Sequence, residues 1–192
     1  ASSDEDVIEH LLSTSVHAYL LFFTDQGKVY RAKAHELPKT TRTAQGSLIH
    51  NVLSMSQDEK VQAIIDTRDY ETEKFLLIMT EKGTIKKSAF KDFDSNYKSL
   101  QAIKLKDDDK VVSVKTTSGT EDVILVSRKG QAIRFDENNL KPQGRTAMGV
   151  RGIKLREGDK VVGAATSRDE TLLFITAKGY GKRTNLDEFR KA

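Results

Sequence analysis

The feature that most constrains this chain is its internal repetition. Four segments each join an apolar, β-prone run to a glycine turn and a basic exit: Tyr19–Arg31, Phe75–Lys87, Val123–Arg134 and Leu172–Arg183. Their turn glycines, Gly27, Gly83, Gly130 and Gly179, are 56, 47 and 49 residues apart. A second marker keeps the same beat. An acidic turn leads into an apolar strand at Asp4–Val7, Asp58–Val61, Asp108–Val111 and Gly158–Val161, with valine spacings of 54, 50 and 50. Two independent markers sharing a period near fifty define a four-fold repeat, with units of about 4–57, 58–107, 108–157 and 158–192.

Each unit reads as β-sheet. The strand before the glycine is almost continuously apolar, which calls for cover on both faces. Glycine in the last turn position accepts a positive φ and keeps the two strands adjacent. The strand after it alternates, as in Val29/Arg31, Ile85/Lys87 and Ile133/Phe135, which predicts one buried face and one polar, largely basic face. A short amphipathic piece, such as Phe90–Phe93 or Glu137–Leu140, suits a turn of helix. Polar loops, clearest at Thr40–Gly46 and Gly144–Gly149, then lead to a further apolar stretch such as Leu100–Ile103 or Val150–Ile153. About four strands per fifty residues suit propeller blades, each too thin to bury both faces without neighbours. The expected fold is all-β: one propeller-like array of about four four-stranded blades, with no linker dividing it.

Composition narrows the chemistry. There is no cysteine among the 192 residues, so a disulfide framework, a cysteine nucleophile and a thiolate metal site are excluded. The histidines, His10, His17, His35 and His50, have no zinc-site spacing, and the Asp107–Asp109 run recurs in other units as the acidic turn. No phosphate-loop or nucleophile-elbow pattern occurs. No apolar run is long enough for a membrane helix. Net charge is only +4, from 32 basic and 28 acidic side chains, so its distribution matters more than its size.

Basic residues recur at one place in each repeat: Lys28, Arg31, Lys33; Lys82, Lys86, Lys87; Arg128, Lys129, Arg134; Lys178, Lys182, Arg183. Loop members are Lys39, Arg42, Lys141, Arg145 and Arg151. Stacked blades would set these along one rim, a spaced positive track suited to curved duplex backbone. Arg31, Lys87, Arg134 and Arg183, each four residues past its turn glycine, are the expected centre of that track. Gly144/Gly149 and Gly179/Gly181 could bring backbone N–H groups to phosphates; for Gly179 the hairpin-turn role is the stronger reading, while for Gly144 and Gly149 a purely structural role weighs equally. The rival function class is a protein-interaction propeller, which would present apolar anchors instead of repeated cations.

Several stretches are more specific than any single turn. These are Glu9–Leu12, Leu21–Phe23 with Gly27–Arg31, Glu36–Pro38, Met148–Leu155, Gly158–Val162 and Lys178–Thr184. On these the chain resembles, over essentially all of its length, the C-terminal domain of the bacterial type IIA topoisomerase A subunit. DNA gyrase is the nearer likeness and topoisomerase IV the second. The resemblance implies a β-pinwheel, a disc whose blades exchange strands and whose basic rim binds and bends duplex DNA in support of ATP-driven supercoiling. It implies no catalytic residue and no cofactor in this chain, with ATP and Mg²⁺ used elsewhere in the enzyme. It also implies a bacterial cytoplasmic setting. The implied partners are double-stranded DNA, the gyrase B subunit, and the rest of the A subunit, with no membrane. The gyrase heptad, Gln or Ala followed by Arg-Arg-Gly-Gly-Lys-Gly, is absent, and the resemblance places it before residue 1. With four units against the usual six in gyrase, the chain is expected to be a fragment of a larger disc or a natural variant.

Overall fold

The structure is a computed structural model that describes residues 19–36, 50–169, 171–175 and 181–185. The apolar runs form β1 (Tyr19–Thr24), β4 (Phe75–Thr80), β8 (Asp122–Ser127) and β12 (Thr171–Ile175). The first three turn back through tight hairpins into β2 (Lys28–Lys33), β5 (Thr84–Ala89) and β9 (Ala132–Asp136), and β12 pairs antiparallel with β13 (Gly181–Asn185). Gly27, Gly83 and Gly130 hold φ of +78°, +92° and +92°, the conformation expected at the turns. Gly179 and the first acidic turn, Asp4–Asp6, lie outside the described residues.

The remaining strands do not stay with the hairpin of their own repeat. The strands after the acidic turns are β3 (Val61–Asp66), β7 (Val111–Thr117) and β11 (Val161–Thr166). They pair with β1, β4 and β8, the hairpins of the preceding unit. The strands after the polar loops are β6 (Ser99–Gln101) and β10 (Val150–Arg151), and they pair with β2 and β5, again one unit back. The sheet orders are therefore β3-β1-β2-β6, β10-β5-β4-β7, β11-β8-β9 and β12-β13. Units drawn from acidic turn to acidic turn describe the sequence, but the sheets are assembled across those boundaries. The cause is local. The turn before β7 is anchored on the previous hairpin, where Glu81 N donates to Lys110 O (2.8 Å) and Lys82 N to Asp109 Oδ1 (3.0 Å).

The sheets stack face to face. Leu21, Phe23 and Val29 of the first meet Leu76, Ile78, Phe90 and Phe93 of the second. Leu77, Met79 and Ile85 on the other face of the second sheet meet Val123, Leu125 and Phe135 of the third. The runs in β1, β4 and β8 are buried after their first residue. β4 has a sheet packed on both sides, while Leu20 and Phe22 of β1 are covered on their outer face by Leu53 and Met55. The edge strands β3, β7 and β11 lie side by side, while β6 and β10 occupy the opposite, outer edge. Short 3-10 turns at Ala34–Glu36, Phe90–Phe93 and Glu137–Asn139 close the hairpins, as expected from the amphipathic pieces.

One expectation about the strands fails. The strand after each glycine was expected to keep a solvated basic face, yet β5 is buried from Ile85 to Ser88. It is an interior strand, paired on both edges and covered on both faces, so the alternation of Ile85, Lys86 and Lys87 reports two interfaces and not a surface.

Candidate nucleic-acid interface

Strand geometry sorts the basic residues into three groups. The first is the set four residues past the turn glycine. In the first three hairpins this position lies diagonally opposite the first residue of the preceding strand, and that residue engages the cation. The Arg31 guanidinium stacks 3.7 Å from the centre of the Tyr19 ring. Lys87 Nζ lies 4.1 Å from the centre of the Phe75 ring. Arg134 Nε donates to Asp122 Oδ2 at 3.0 Å. Lys33 also approaches Tyr19, at 5.3 Å. Lys87 is 4% exposed and paired with Glu137, and Lys86 is 1% exposed. Lys86 and Lys87 thus do not present their charges to a ligand on a rim. The sequence pattern shows that these cations repeat, but not that Arg31, Lys87 and Arg134 each have an intramolecular partner two strand positions away.

The second group lies at the hairpin turns. Lys82 and Lys129 are exposed, and their ammonium groups donate to Asp107 O (2.8 Å) and Glu157 O (3.1 Å) of the next acidic turn. Arg128 Nη2 reaches Gly158 O at 3.4 Å. These cations tie hairpin to turn.

The third group follows the outer edge. Lys28, Lys141 and Arg151 are exposed there, and Arg145 is half-buried. Four cations that sequence reasoning missed join them: Lys104 and Lys106 after β6, and Lys154 and Arg156 after β10, all exposed. Their signal was present as a second repeated tetrad, Ile103-Lys-Leu-Lys106 and Ile153-Lys-Leu-Arg156, offset by fifty residues. Ile and Leu of each tetrad turn inward over the hairpin glycine. A Cβ on Gly27 or Gly83 would stand 2.8 Å from Ile103 O or Ile153 O. The alternate residues therefore point away. A groove of about 420 Å³ runs along β6, lined among others by Lys28, Gln101 and Lys104.

The loop before β10 joins two sheets at this edge. Lys104 N donates to Ala147 O (3.1 Å), so the Arg145 loop rests against the segment following β6. Gln143 N donates to Lys87 O (2.7 Å), Ser88 Oγ to Gln143 O (2.8 Å) and Gly149 N to Gln143 Oε1 (3.1 Å). Of the two equally weighted readings of Gly149, phosphate binding and a structural role, the geometry favours the second, because its N–H is taken by the Gln143 side chain. Its φ of +85° and the approach of Ile85 O, 2.7 Å from a notional Cβ, explain why glycine stands there.

Lys39, Arg42 and Lys178 lie outside the described residues. Lys182 and Arg183 sit on β13, in register with Phe174 and Leu173. Among the described residues no group of three His, Asp or Glu side chains is placed to hold a metal, and no helix is long and apolar enough to cross a membrane.

This chain matches the family described as DNA gyrase C-terminal domain, β-propeller, over residues 18–68, 74–118, 121–168 and 170–192. The chain belongs to that family. The matched segments start at the hairpins, and the first three end after β3, β7 and β11, in phase with the sheets described above. The DNA gyrase A protein of Staphylococcus epidermidis is 40% identical over 192 residues, covering 97% of this chain and 22% of that protein. Its Staphylococcus aureus counterpart is 40% identical over 193 residues with the same coverage. The chain thus spans about a fifth of the length of these relatives. Among solved structures, the C-terminal domain of DNA topoisomerase IV superposes with a TM-score of 0.80 at 34% identity, over 92% of this chain and 56% of that one. The DNA gyrase A C-terminal domain gives 0.73 at 29% identity, over 92% and 57%.

Proposed function

We propose that this chain is a non-catalytic module that binds and bends duplex DNA by its phosphate backbone, along the outer edges of a strand-exchanged β-pinwheel. It serves the A subunit of a bacterial type IIA topoisomerase, with gyrase-type negative supercoiling the leading reading. Strand passage and energy come from the remainder of that protein and its ATP-using partner, with Mg²⁺. The observation that carries the reading is the fifty-residue recurrence of exposed cations on successive outer edges, Lys104 with Lys154 and Lys106 with Arg156, beside Lys28, Arg145 and Arg151. Cations spaced along an edge suit a polyanion that passes from sheet to sheet, and contacts to phosphate position DNA without reading its sequence.

Exposed large apolar residues at Val52, Tyr97, Met148 and Val150 are the material a protein-binding face would need. They are few beside the cations, which favours DNA.

The test is fluorescence anisotropy with unrelated duplexes at several salt concentrations. Replacing Lys28, Lys104, Arg145, Arg151 and Lys154 by Ala should weaken every duplex alike. It should also flatten the log–log salt dependence by roughly 0.9 per lost phosphate contact. Unchanged binding by this variant would sink the assignment. A topoisomerase IV module is the second reading, favoured by the superposition of 0.80 against 0.73. If an A subunit carrying this chain supercoils relaxed circles with ATP, the gyrase reading holds. Relaxation without supercoiling supports the other.

A further inference from the structure

Lys86 is a buried lysine whose partners are carbonyl oxygens from two different sheets. Its side chain leaves β5 toward the first sheet, into the junction lined by Leu76, Ile78 and Ala102. Its ammonium donates to Ala102 O, just after β6, and to Gly144 O (3.0 Å) and Arg145 O (2.9 Å), in the loop before β10. An ammonium has three donors, and these three acceptors use all of them. A buried charge ordinarily requires a carboxylate or a full set of hydrogen bonds, and here the set of carbonyls supplies it. The equivalent position is Tyr30 in the first hairpin, where the hydroxyl donates to Glu59 Oε1 (2.7 Å), and Ile133 in the third. The lysine stands where the Arg145 loop crosses from one sheet to the next.

We infer that Lys86 is a positioning residue for DNA: from inside the sheet junction it holds the Arg145 loop against the neighbouring sheet's outer edge, so that Arg145 and Lys104 act as one phosphate-binding unit. The inference rests on the proposed DNA-binding reading. Lys86 itself touches no ligand, because its donors are spent on the loop. The loop has few other ties across the junction, chiefly Lys104 N to Ala147 O. Without the ammonium, three inward carbonyls face an apolar junction, and the loop is free to lift toward water.

The experiment compares the 192-residue chain with Lys86→Met, which keeps the stem and removes the donors, and with Lys86→Gln, which restores two donors on a shorter stem. Hydrogen–deuterium exchange of residues 143–149 and of Lys104 reads the loop without DNA, urea melts read the fold, and anisotropy reads duplex binding. In Lys86→Met, loop exchange should rise by about tenfold or more while the strand amides of β4 and β8 stay protected. Duplex affinity should fall by about as much as in Arg145→Ala, and the double variant Lys86→Met/Arg145→Ala should bind within roughly twofold of either single one, since coupled residues are not additive. Lys86→Gln should fall between parent and Lys86→Met. Unchanged loop exchange overturns the inference, and so do losses that multiply in the double variant. If neither Lys86 variant folds, Lys86 is needed for assembly of the junction and the positioning role is wrong. If the parent binds no duplex, the DNA reading fails and takes this role with it. The exchange data then still tell whether Lys86 pins the loop.

Discussion

Lys87 Nζ lies 3.1 Å from Glu137 Oε1 across the junction of the second and third sheets, with the two side chains 3% and 0% exposed. Neighbouring residues on β5 thus send their charges into opposite junctions, Lys86 to carbonyls and Lys87 to a carboxylate. Burial alone would raise the Glu137 carboxyl. Donors from Glu121, Thr117 and Lys87 outweigh it and hold Glu137 below the usual carboxylate range.

Breaking this pair on one side leaves the other charge buried and alone. Glu137→Gln or Lys87→Met should each destabilise the chain by about 3–5 kcal/mol, and replacing both should cost clearly less than the two together. Urea melts of the four proteins of the cycle measure this. Additive losses would mean that the two groups do not interact.

Gly83 and Gly130 separate two effects of adding a methyl group. Both hold φ of +92°, so alanine at either meets the same backbone strain, about 1–3 kcal/mol. At Gly83 the new Cβ would also stand 2.8 Å from Ile153 O, whereas at Gly130 nothing lies within 4 Å. Gly83→Ala should therefore lower the unfolding midpoint more than Gly130→Ala. Equal shifts would show that the segment after β10 does not press on the turn.

The ammonium of Lys86 titrates early. Burial pushes its pKa down from 10.5 to about 8, the Arg145 charge pushes the same way, and Asp92 partly opposes them. The folded state therefore holds this proton less tightly than the unfolded chain. Below pH 8 both states are charged and the burial cost is present in full. Between pH 8 and 10.5 the folded state loses the proton first, so the cost is progressively relieved. Relative to Lys86→Met, the parent should gain stability across that window, by roughly 3 kcal/mol at most. Denaturant melts of both proteins at about pH 7, 8, 9 and 10 check the sign, and a falling difference would contradict it.

Arg134→Ala and Lys154→Ala should part company in DNA binding. Arg134 is held by Asp122, so its loss should act on stability with little change in the salt dependence of binding. Lys154 is exposed on the outer edge, so its loss should flatten the salt slope by up to about 0.9 while leaving the melt unchanged. Parallel anisotropy and melting series on the two variants would show whether the outer edge, and not the hairpin diagonal, meets phosphate.

The difference between these two residues shows what the sequence could convey. The period, the hairpins, the turn glycines and the buried runs β1, β4 and β8 were legible, because they rest on neighbours in sequence: apolar continuity and the need for positive φ at Gly27, Gly83 and Gly130. Strand partners were not, since β3 and β7 carry no mark that assigns them to the hairpin before or after. Exposure of the cations failed for the same reason. Whether Lys87 faces water depends on Glu137, fifty residues away, and an alternating pattern on an interior strand looks the same as one on a surface. The Ile-Lys-Leu tetrads were readable but lie outside the hairpins that carry the repeated cation sets.

The strand exchange has a consequence for synthesis. When β1 and β2 have left the ribosome their sheet still lacks β3 and β6, and it is complete only once Gln101 has emerged. The second sheet waits in the same way for Arg151. Each of the first two nascent hairpins thus has two open edges until β3 or β7 emerges and one open edge until β6 or β10 follows, and at about 5–20 residues per second that wait lasts seconds. During it the hairpins of neighbouring chains on a polysome are rivals for the same edges. The nearly continuous apolar runs that make the finished stack dry are, for that time, its point of greatest risk.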